Sequence, residues 1–229
     1  MQSIGITRDM NDIPTFQHFV QNTLNVGPAR VRAEIYSFID TFSALLASSD
    51  DEIDDFVKSI HSSNSGRANN ARILIPSNVS TSFKAVLFEL KDRAMCGAMP
   101  TQANLMAINA AQVTLMRRNR AEAKEYQLHR EQATHHKMDV PELKSDNFES
   151  FELAFAAAVR RQSSMYGSVP LDYLLRENAV GNYNAVWPTR EEKLKNCLSL
   201  TGQAFSDDSE TLYNLLVQYV GTDKGPTVI

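Results

Sequence analysis

The sequence is poor in the residues that build small cross-linked or repetitive proteins. It has two cysteines, Cys96 and Cys197, which are too few for a disulfide framework or a four-thiolate zinc site. Nine glycines and eight prolines in 229 residues exclude collagen-like and low-complexity chains. No apolar run approaches the roughly 20 residues that cross a bilayer, and the first residues lack the basic and apolar regions of a signal peptide. We therefore expect a soluble, cytoplasmic protein with no membrane partner.

Motifs for catalysis and metal binding are also missing from the sequence. There is no GxSxG elbow, no HExxH or CxxC motif, and no glycine-rich loop after a strand. Glu131 and His135 are four residues apart on a predicted helix, but a zinc site needs three or four ligands, so surface side chains are favoured. The acidic clusters at 50–55 and 207–210 fall at predicted helix starts, where the helix dipole favours acids. We expect no catalytic residue, metal, cofactor or small-molecule substrate, and hence a protein that is not an enzyme.

The chain has enough hydrophobic residues to form a buried core, and its charge is unevenly distributed along the sequence. Hydrophobic residues make up 43% of the chain and charged residues 22%. The net charge of −4 divides into −5 for residues 1–62, +6 for residues 63–137 and −5 for residues 138–229. A basic middle region can bind a polyanion or pack against the acidic flanks. For an excess this small, a solvated helix face is the favoured interpretation.

The spacing of apolar residues predicts an all-α protein that begins with a small bundle at residues 12–62. Pro14 suits a first helical position, and helical spacing continues to Leu24. The turn at 25–28 separates this helix from a second one, whose apolar spacing runs from Pro28 to Leu46. Ser49, followed by three acids, predicts the N-cap of a third helix. This short bundle resembles a sterile-alpha-motif domain.

The middle of the chain is predicted to connect two bundles. Residues 63–79 are predicted to be a linker because 61–70 are small and polar throughout. Helical spacing returns near Ser80 and breaks near Gly97. A long helix of roughly 35 residues is then predicted from about Thr101 to Thr134, with a charged second half that has few apolar anchors. Together these helices form a predicted connector at 80–138.

Residues 139–224 are predicted to form a second helical bundle. Asp146 is placed to cap a helix, and residues 181–188 are predicted to be a loop. Thr189 and Glu192 match the capping-box pattern at the start of the next helix. The last clear helix is predicted to start at 207–210, with its apolar side chains facing inward.

Two groups of basic residues are candidates for nucleic-acid binding. The turn at 24–28 partly matches a helix-hairpin-helix, with Asn25 at the place of a glycine and with Arg30 and Arg32 within reach of a phosphate. A tight turn used for protein–protein contacts is the favoured interpretation, because its domain is acidic. The second group lies on the long helix, where glutamates alternate with the basic residues as in ordinary i, i+4 pairs. This group consists of Arg117, Arg118, Arg120, Lys124 and Arg130.

The third region carries a resemblance to a known family. The segments that carry it are 145–155, 167–176, 181–187, 193–198 and 202–216, in which aromatic and leucine residues lead to a "LDYLLR" segment, a loop and a "GQAFSDDSETLYNLL" helix. This order resembles the Gag-like N-terminal part of Copia-type LTR-retrotransposon polyproteins, particularly those of diatoms and other algae. The similarity covers about residues 139–224. The CCHC zinc knuckle, protease, integrase and reverse-transcriptase parts of such polyproteins are missing, so a polyprotein fragment or a domesticated or decayed copy is expected.

What the resemblance implies is an all-helical, capsid-type assembly domain without individually assigned functional residues. The side chains expected to form its core or its assembly contacts are Phe148, Phe151, Phe155, Leu171, Tyr173, Leu174, Trp187, Leu212, Tyr213 and Leu216. The resulting hypothesis is a non-enzymatic structural protein that self-associates and binds RNA nonspecifically through its basic helix. The alternative is a nucleic-acid-binding or scaffold regulator that uses the turn at 24–33.

Overall fold

The computed structural model describes residues 6–133, 140, 143–144, 146–167, 169–176 and 180–220. This part of the chain contains helices, turns and a single isolated bridge between Ser163 and Pro170, and no strand, so the predicted all-α class is confirmed. Its α-helices are α1 (Ile13–His18), α2 (Ala29–Phe38), α3 (Phe42–Ala47), α4 (Asp50–Ser63), α5 (Ser77–Met95), α6 (Gln102–Met106), α7 (Ala110–Ala133), α8 (Phe148–Arg161), α9 (Arg190–Cys197) and α10 (Gln203–Val220). A π-helical turn, Phe19–Thr23, follows α1, and 3-10 turns cover Arg8–Asn11, Asn69–Ala71 and Leu171–Leu175.

The described residues divide into two compact units. The first contains the residues up to position 94 together with 98–121, and the second contains 95–97 and the residues from 122 onward. The division therefore falls within α7, whereas the sequence predicted boundaries near 62, 79 and 138. No helix in the described part of the chain is both long enough and apolar enough to span a bilayer.

The core of the first unit explains why it extends beyond residue 62. The rings of Phe16, Phe19 and Phe42 cluster around one another, and the ring of Phe83 from α5 lies 5.9 Å from that of Phe16 and 6.3 Å from that of Phe19. Such ring separations are typical of aromatic pairs in protein interiors. The core of the predicted 12–62 bundle is thus completed by a helix from the predicted connector.

The predicted linker contributes to the same core. Asn64 is buried, and its side-chain amide donates to the Ile73 carbonyl oxygen at 2.6 Å and accepts from the Ile73 N–H at 2.8 Å. This pair of hydrogen bonds satisfies both backbone groups of Ile73 and closes the segment between them. Ile73 and Ile75 are buried at 8% and 3% exposure. The polar segment that follows α4 is therefore a closed loop against the core rather than an extended spacer.

Two helices that the apolar spacing predicted to be continuous are interrupted. α2 ends at Phe38, and Thr41 begins α3 by accepting a hydrogen bond from the Ala44 N–H at 3.0 Å. The predicted long helix is split into α6 and α7 at 107–109, where the Ile108 carbonyl accepts from the Thr23 hydroxyl at 2.8 Å. Side-chain capping and a tertiary hydrogen bond satisfy the backbone at these breaks.

A further capping interaction fixes the start of α7. The side chain of Asn109 accepts from the Gln112 N–H at 3.0 Å, and the Gln112 side chain accepts from the Asn109 N–H at 3.0 Å. The arrangement is that of a capping box, with amide side chains in both positions. The break therefore has a signal in the sequence, although Asn109 takes the position where the usual motif has Ser or Thr.

Other helix starts agree with the sequence more closely. Ser49 and Glu52 form the capping box of α4, with the Glu52 N–H donating to the Ser49 hydroxyl at 3.1 Å. Thr189 caps α9 by accepting from the Glu192 N–H at 3.1 Å. Asn147, rather than Asp146, is the N-cap residue of α8. α10 begins at Gln203, a full turn before the predicted start, directly after Gly202 with its positive φ of 91°.

The second unit packs α8, α9 and α10 around the turn Leu171–Leu175. Its buried apolar side chains include Phe151, Val159, Leu171, Leu194 and, directly after α9, Leu198. The loop at 181–187 is held by the Gly181 N–H, which donates to the Asn196 carbonyl at 2.8 Å. The loop predicted at 181–188 is therefore confirmed, and its position is fixed by α9.

Candidate functional site

Two of the predicted nucleic-acid residues are engaged within the first unit. The guanidinium of Arg117 donates from Nη2 to the Asn78 carbonyl at 2.7 Å and to the Ser82 hydroxyl at 2.5 Å, which joins α7 to α5. The guanidinium of Arg120 forms an ion pair with Asp50, the first residue of α4. Both side chains are partly buried in these contacts. They stabilise the fold of the first unit and are not presented to a polyanion.

The remaining basic candidates on α7 have a different placement. Arg118 and Lys124 are exposed. The side chains of Arg130 and Glu131 are not described, and His135 lies outside the described residues. Among the residues that the structure describes, no group of three or more His, Cys, Asp or Glu side chains is arranged to hold a metal ion.

The predicted hairpin is a turn between two helices in which one arginine binds the turn's own carbonyls. Asn25 has a φ of 53°, which is the left-handed conformation of the glycine whose place it takes in the motif. Arg32 donates from Nη1 to the Val26 carbonyl at 3.0 Å and also to the Gly27 carbonyl, which ties its guanidinium to the turn itself. Arg30 is exposed. The geometry is therefore that of a closed turn between two helices, with one of its two arginines used to hold it.

The residues predicted for core or assembly divide into three groups by exposure. Phe151, Leu171 and Tyr173 are buried. The half-buried members are Phe155, Leu174, Trp187 and Leu212. The exposed members are Phe148 at 61%, Tyr213 at 65% and Leu216 at 38%. The expectation that Tyr213 and Leu216 face inward is wrong. The inward stripe of α10 runs through Asp208 and, one turn later, Leu212.

A buried carboxylate joins the elements of the second unit, and sequence reasoning missed it. Asp208 is 2% exposed and accepts hydrogen bonds from the Met165 N–H at 2.7 Å and from the Tyr173 hydroxyl at 2.9 Å. Burial raises the pKa of Asp208, and the two hydrogen bonds oppose that shift. The sequence assigned this residue to a helix N-terminus. The available signal was its place on the same stripe as Leu212, four residues later.

Other charged side chains in this unit hold α9 in place. Asp172 is 4% exposed and accepts from the Lys195 ammonium at 2.8 Å. Arg176 donates to the carbonyl oxygens of Lys195 at 3.0 Å and Leu198 at 2.7 Å. Carbonyls at the C-terminal end of a helix have no acceptor role within the helix, and Arg176 supplies their donor. Burial lowers the pKa of Arg176. These interactions fix the packing of the unit, as capping and buried ion pairs do in structural cores.

The outward face of α8 is the most exposed apolar feature of the second unit's helices. Phe151 faces the core and its ring stacks on that of Phe155 at 5.7 Å. Leu153, on the opposite side of the helix, is 74% exposed. Glu149 and Arg160 are exposed on the same side as Leu153. α10 adds exposed Tyr213 and Leu216, so α8 and α10 both present large apolar side chains to solvent.

The first unit contains a small cavity between α5, α6 and α7. Its volume is about 50 Å³, and Glu89, Arg93, Leu105 and Met116 are among its lining residues. Glu89 and Arg93 form an ion pair at 3.3 Å within it. Pockets for small-molecule ligands measure about 300–1,000 Å³. The cavity has room for water rather than for a substrate.

Comparisons with known proteins add no relative to this description. No protein-family model, curated protein or solved structure matches the chain.

Proposed function

We propose that this chain is a non-enzymatic, Gag-like structural protein of the cytoplasm that self-associates through its second unit. The observation that carries the proposal is the exposure of large apolar side chains on α8 and α10. Leu153 is 74% exposed, Tyr213 65% and Phe148 61%. Large apolar side chains exposed on two helices of one unit are candidates for a protein–protein contact, although single exposed apolar side chains are common on protein surfaces. A second copy that covers them would remove this surface from water.

The resemblance to Copia-type Gag supports the same proposal from the sequence. The similar segments span the helices that present the exposed side chains, α8 and α10. Buried titratable groups of this unit, such as Asp208 and Asp172, are held in hydrogen bonds and ion pairs that serve its packing. They therefore support an architectural role for the unit rather than a catalytic one.

The proposal includes nonspecific RNA binding by α7. It rests on Arg118 and Lys124, which are exposed on α7. Arg117 and Arg120 support it less than the sequence indicated, because their guanidinium groups bind partners on α5 and α4. With few phosphate contacts, we expect weak binding that falls with rising salt. The alternative function at the turn of 24–33 is supported less well, since Arg32 binds the carbonyls of that turn.

Sedimentation velocity over a range of protein concentrations tests the proposal. The proposed function predicts a sedimentation coefficient that rises with concentration in the absence of nucleic acid. Added RNA should sediment with the protein at low salt and be released at high salt. A protein that stays monomeric at all concentrations, and does so with RNA at low salt, would contradict the proposal.

A further inference from the structure

The outward face of α8 carries a self-complementary pattern of charge and size. Glu149, Leu153, Ala156 and Arg160 are spaced by four, three and four residues, which places them in one stripe along a helix. Glu149, Leu153 and Arg160 are exposed, and Ala156 is half-buried. The stripe begins with an acid and ends with a base about 16 Å further along the helix, at a rise of 1.5 Å per residue. Between them it presents one large and one small apolar side chain.

From this stripe we infer that α8 pairs in antiparallel orientation with α8 of a second copy of the chain. The inference rests on the proposed self-association and names the surface that carries it. A two-fold axis that passes between Ala154 and Phe155 places residue 149 of each copy opposite residue 160 of the other. Each Glu149 then faces an Arg160, and each Leu153 packs beside an Ala156, whose small side chain lets the helices approach.

Charge selects this orientation over the parallel one. In a parallel pair in register, Glu149 faces a second Glu149 and Arg160 a second Arg160, and like charges opposite each other destabilise a pair. The antiparallel pair replaces both repulsions with two identical attractions, as a two-fold interface requires. The occupant that the surface fits is therefore another copy of this chain.

Arg160 has neighbours in its own chain that remain compatible with this contact. Its guanidinium lies 3.3 Å from Glu191 and 3.9 Å from Asp172, and its side chain is still 64% exposed. The second copy's Glu149 would join this group from the outside. Because acids already surround the guanidinium, the arginine is held in place before the partner arrives, which lowers the entropic cost of pairing.

Charge reversal tests the inference on the full-length protein by sedimentation velocity. Glu149→Arg alone places two arginines opposite each other, and Arg160→Glu alone places two glutamates opposite each other. We expect each single variant to self-associate about tenfold more weakly than the native protein, since two exposed ion pairs are lost. An equal mixture of the two variants restores both attractions, so we expect the mixture to associate as the native protein does.

Matched controls lie on the same helix but off the stripe. Glu152→Arg and Arg161→Glu make the same charge changes at exposed positions of α8, and we expect the self-association of both to be unchanged. Association restored in the mixture also shows that both variants fold, because a misfolded variant cannot restore association in its partner, and far-UV circular dichroism of each variant checks its fold before a failed restoration is counted against the pairing. High salt should reduce the differences between the variants.

The outcomes separate this inference from the proposed function. If the native protein self-associates and the mixture fails to restore association, or the single variants associate normally, the α8 pairing is overturned while self-association through another surface stands. If the native protein is monomeric at every concentration, the proposed function fails and the α8 pairing fails with it.

Discussion

Tyr173 donates a hydrogen bond of 2.9 Å to the buried carboxylate of Asp208, 35 residues later in the chain. The bond joins the turn Leu171–Leu175 to α10, and the Met165 N–H donates a second hydrogen bond to the same carboxylate. Tyr173 is fully buried and Asp208 is 2% exposed. Asp208 is the buried residue of α10, and these two hydrogen bonds link it to the rest of its unit.

Removing the hydroxyl of Tyr173 should destabilise the protein. Tyr173→Phe keeps the ring but leaves the Asp208 carboxylate one donor short, and losing a hydrogen bond to a buried charged group costs about 1.5–3 kcal/mol. Urea denaturation should show a corresponding fall in the free energy of unfolding. Tyr213→Phe, at an exposed position of α10, serves as the control and should leave stability within about 0.5 kcal/mol. Equal stability of the two variants would show that the bond contributes nothing.

The raised pKa of Asp208 predicts a pH dependence of stability with a definite sign. The folded state holds the proton at a higher pH than the unfolded state, whose ordinary value is 3.8, so the folded state binds more protons between the two pKa values. The contribution of Asp208 to stability is therefore fully present below 3.8 and is lost as pH rises through the raised pKa of the folded state.

Asp208→Asn removes this titration and isolates it from the other acids. The free energy of unfolding of the native protein minus that of Asp208→Asn should increase as pH falls from neutral toward 3.8. The neighbouring Asp207 and the hydrogen-bonded Tyr173 are present in both proteins, so their effects largely cancel. A difference that stays flat, or that shrinks as pH falls, would be inconsistent with the burial of a charged Asp208.

The Asn64 side chain should contribute to the stability of the first unit. Asn64→Ala leaves the N–H and carbonyl of buried Ile73 without these partners, and an unsatisfied buried group costs about 1–3 kcal/mol. We expect thermal unfolding at a lower temperature and faster proteolysis at 64–73. Asn22→Ala, at an exposed position, is the control and should unfold as the native protein does. A normal unfolding temperature for Asn64→Ala would mean that the loop is not closed by this side chain.

Neighbouring arginines on α7 should have separable effects. Arg117→Ala removes hydrogen bonds to Asn78 and Ser82 and should lower the free energy of unfolding by about 1–3 kcal/mol. Arg118→Ala, one residue later and exposed, should leave stability nearly unchanged and weaken RNA binding at low salt. Chemical denaturation and a filter-binding titration at several salt concentrations measure the two effects. The assignment would be wrong if Arg118→Ala were the less stable variant.

The sequence allowed the helices to be predicted well where short-range signals decide them. The N-caps at Ser49 and Thr189 depend on residues a few positions away, and both helix starts were predicted. The breaks before Phe42 and before Ala110 were missed because apolar spacing continues across them. The second break has a local signal in the amide capping box of Asn109 and Gln112, but the hydrogen bond from Thr23 to Ile108, 85 residues apart, has none.

The candidate site depended more on tertiary contacts than the sequence could show. The guanidinium groups of Arg117 and Arg120 have partners 35 and 70 residues away, so their use in the fold is invisible in the local pattern of alternating charge. The spacing of Phe151 correctly marked the buried face of α8. The 74% exposure of Leu153 was not predicted, because it depends on which elements pack against α8.

Self-association of the native protein and of two leucine variants tests the central claim most directly. Leu153→Asp places a charge on the exposed face of α8, and Leu74→Asp makes the same change at a leucine of the first unit that is 63% exposed. Sedimentation velocity over one concentration series should show that Leu153→Asp associates at least about tenfold more weakly, while Leu74→Asp associates as the native protein does. Unchanged association of Leu153→Asp, or equal loss in both variants, would contradict assembly through the second unit.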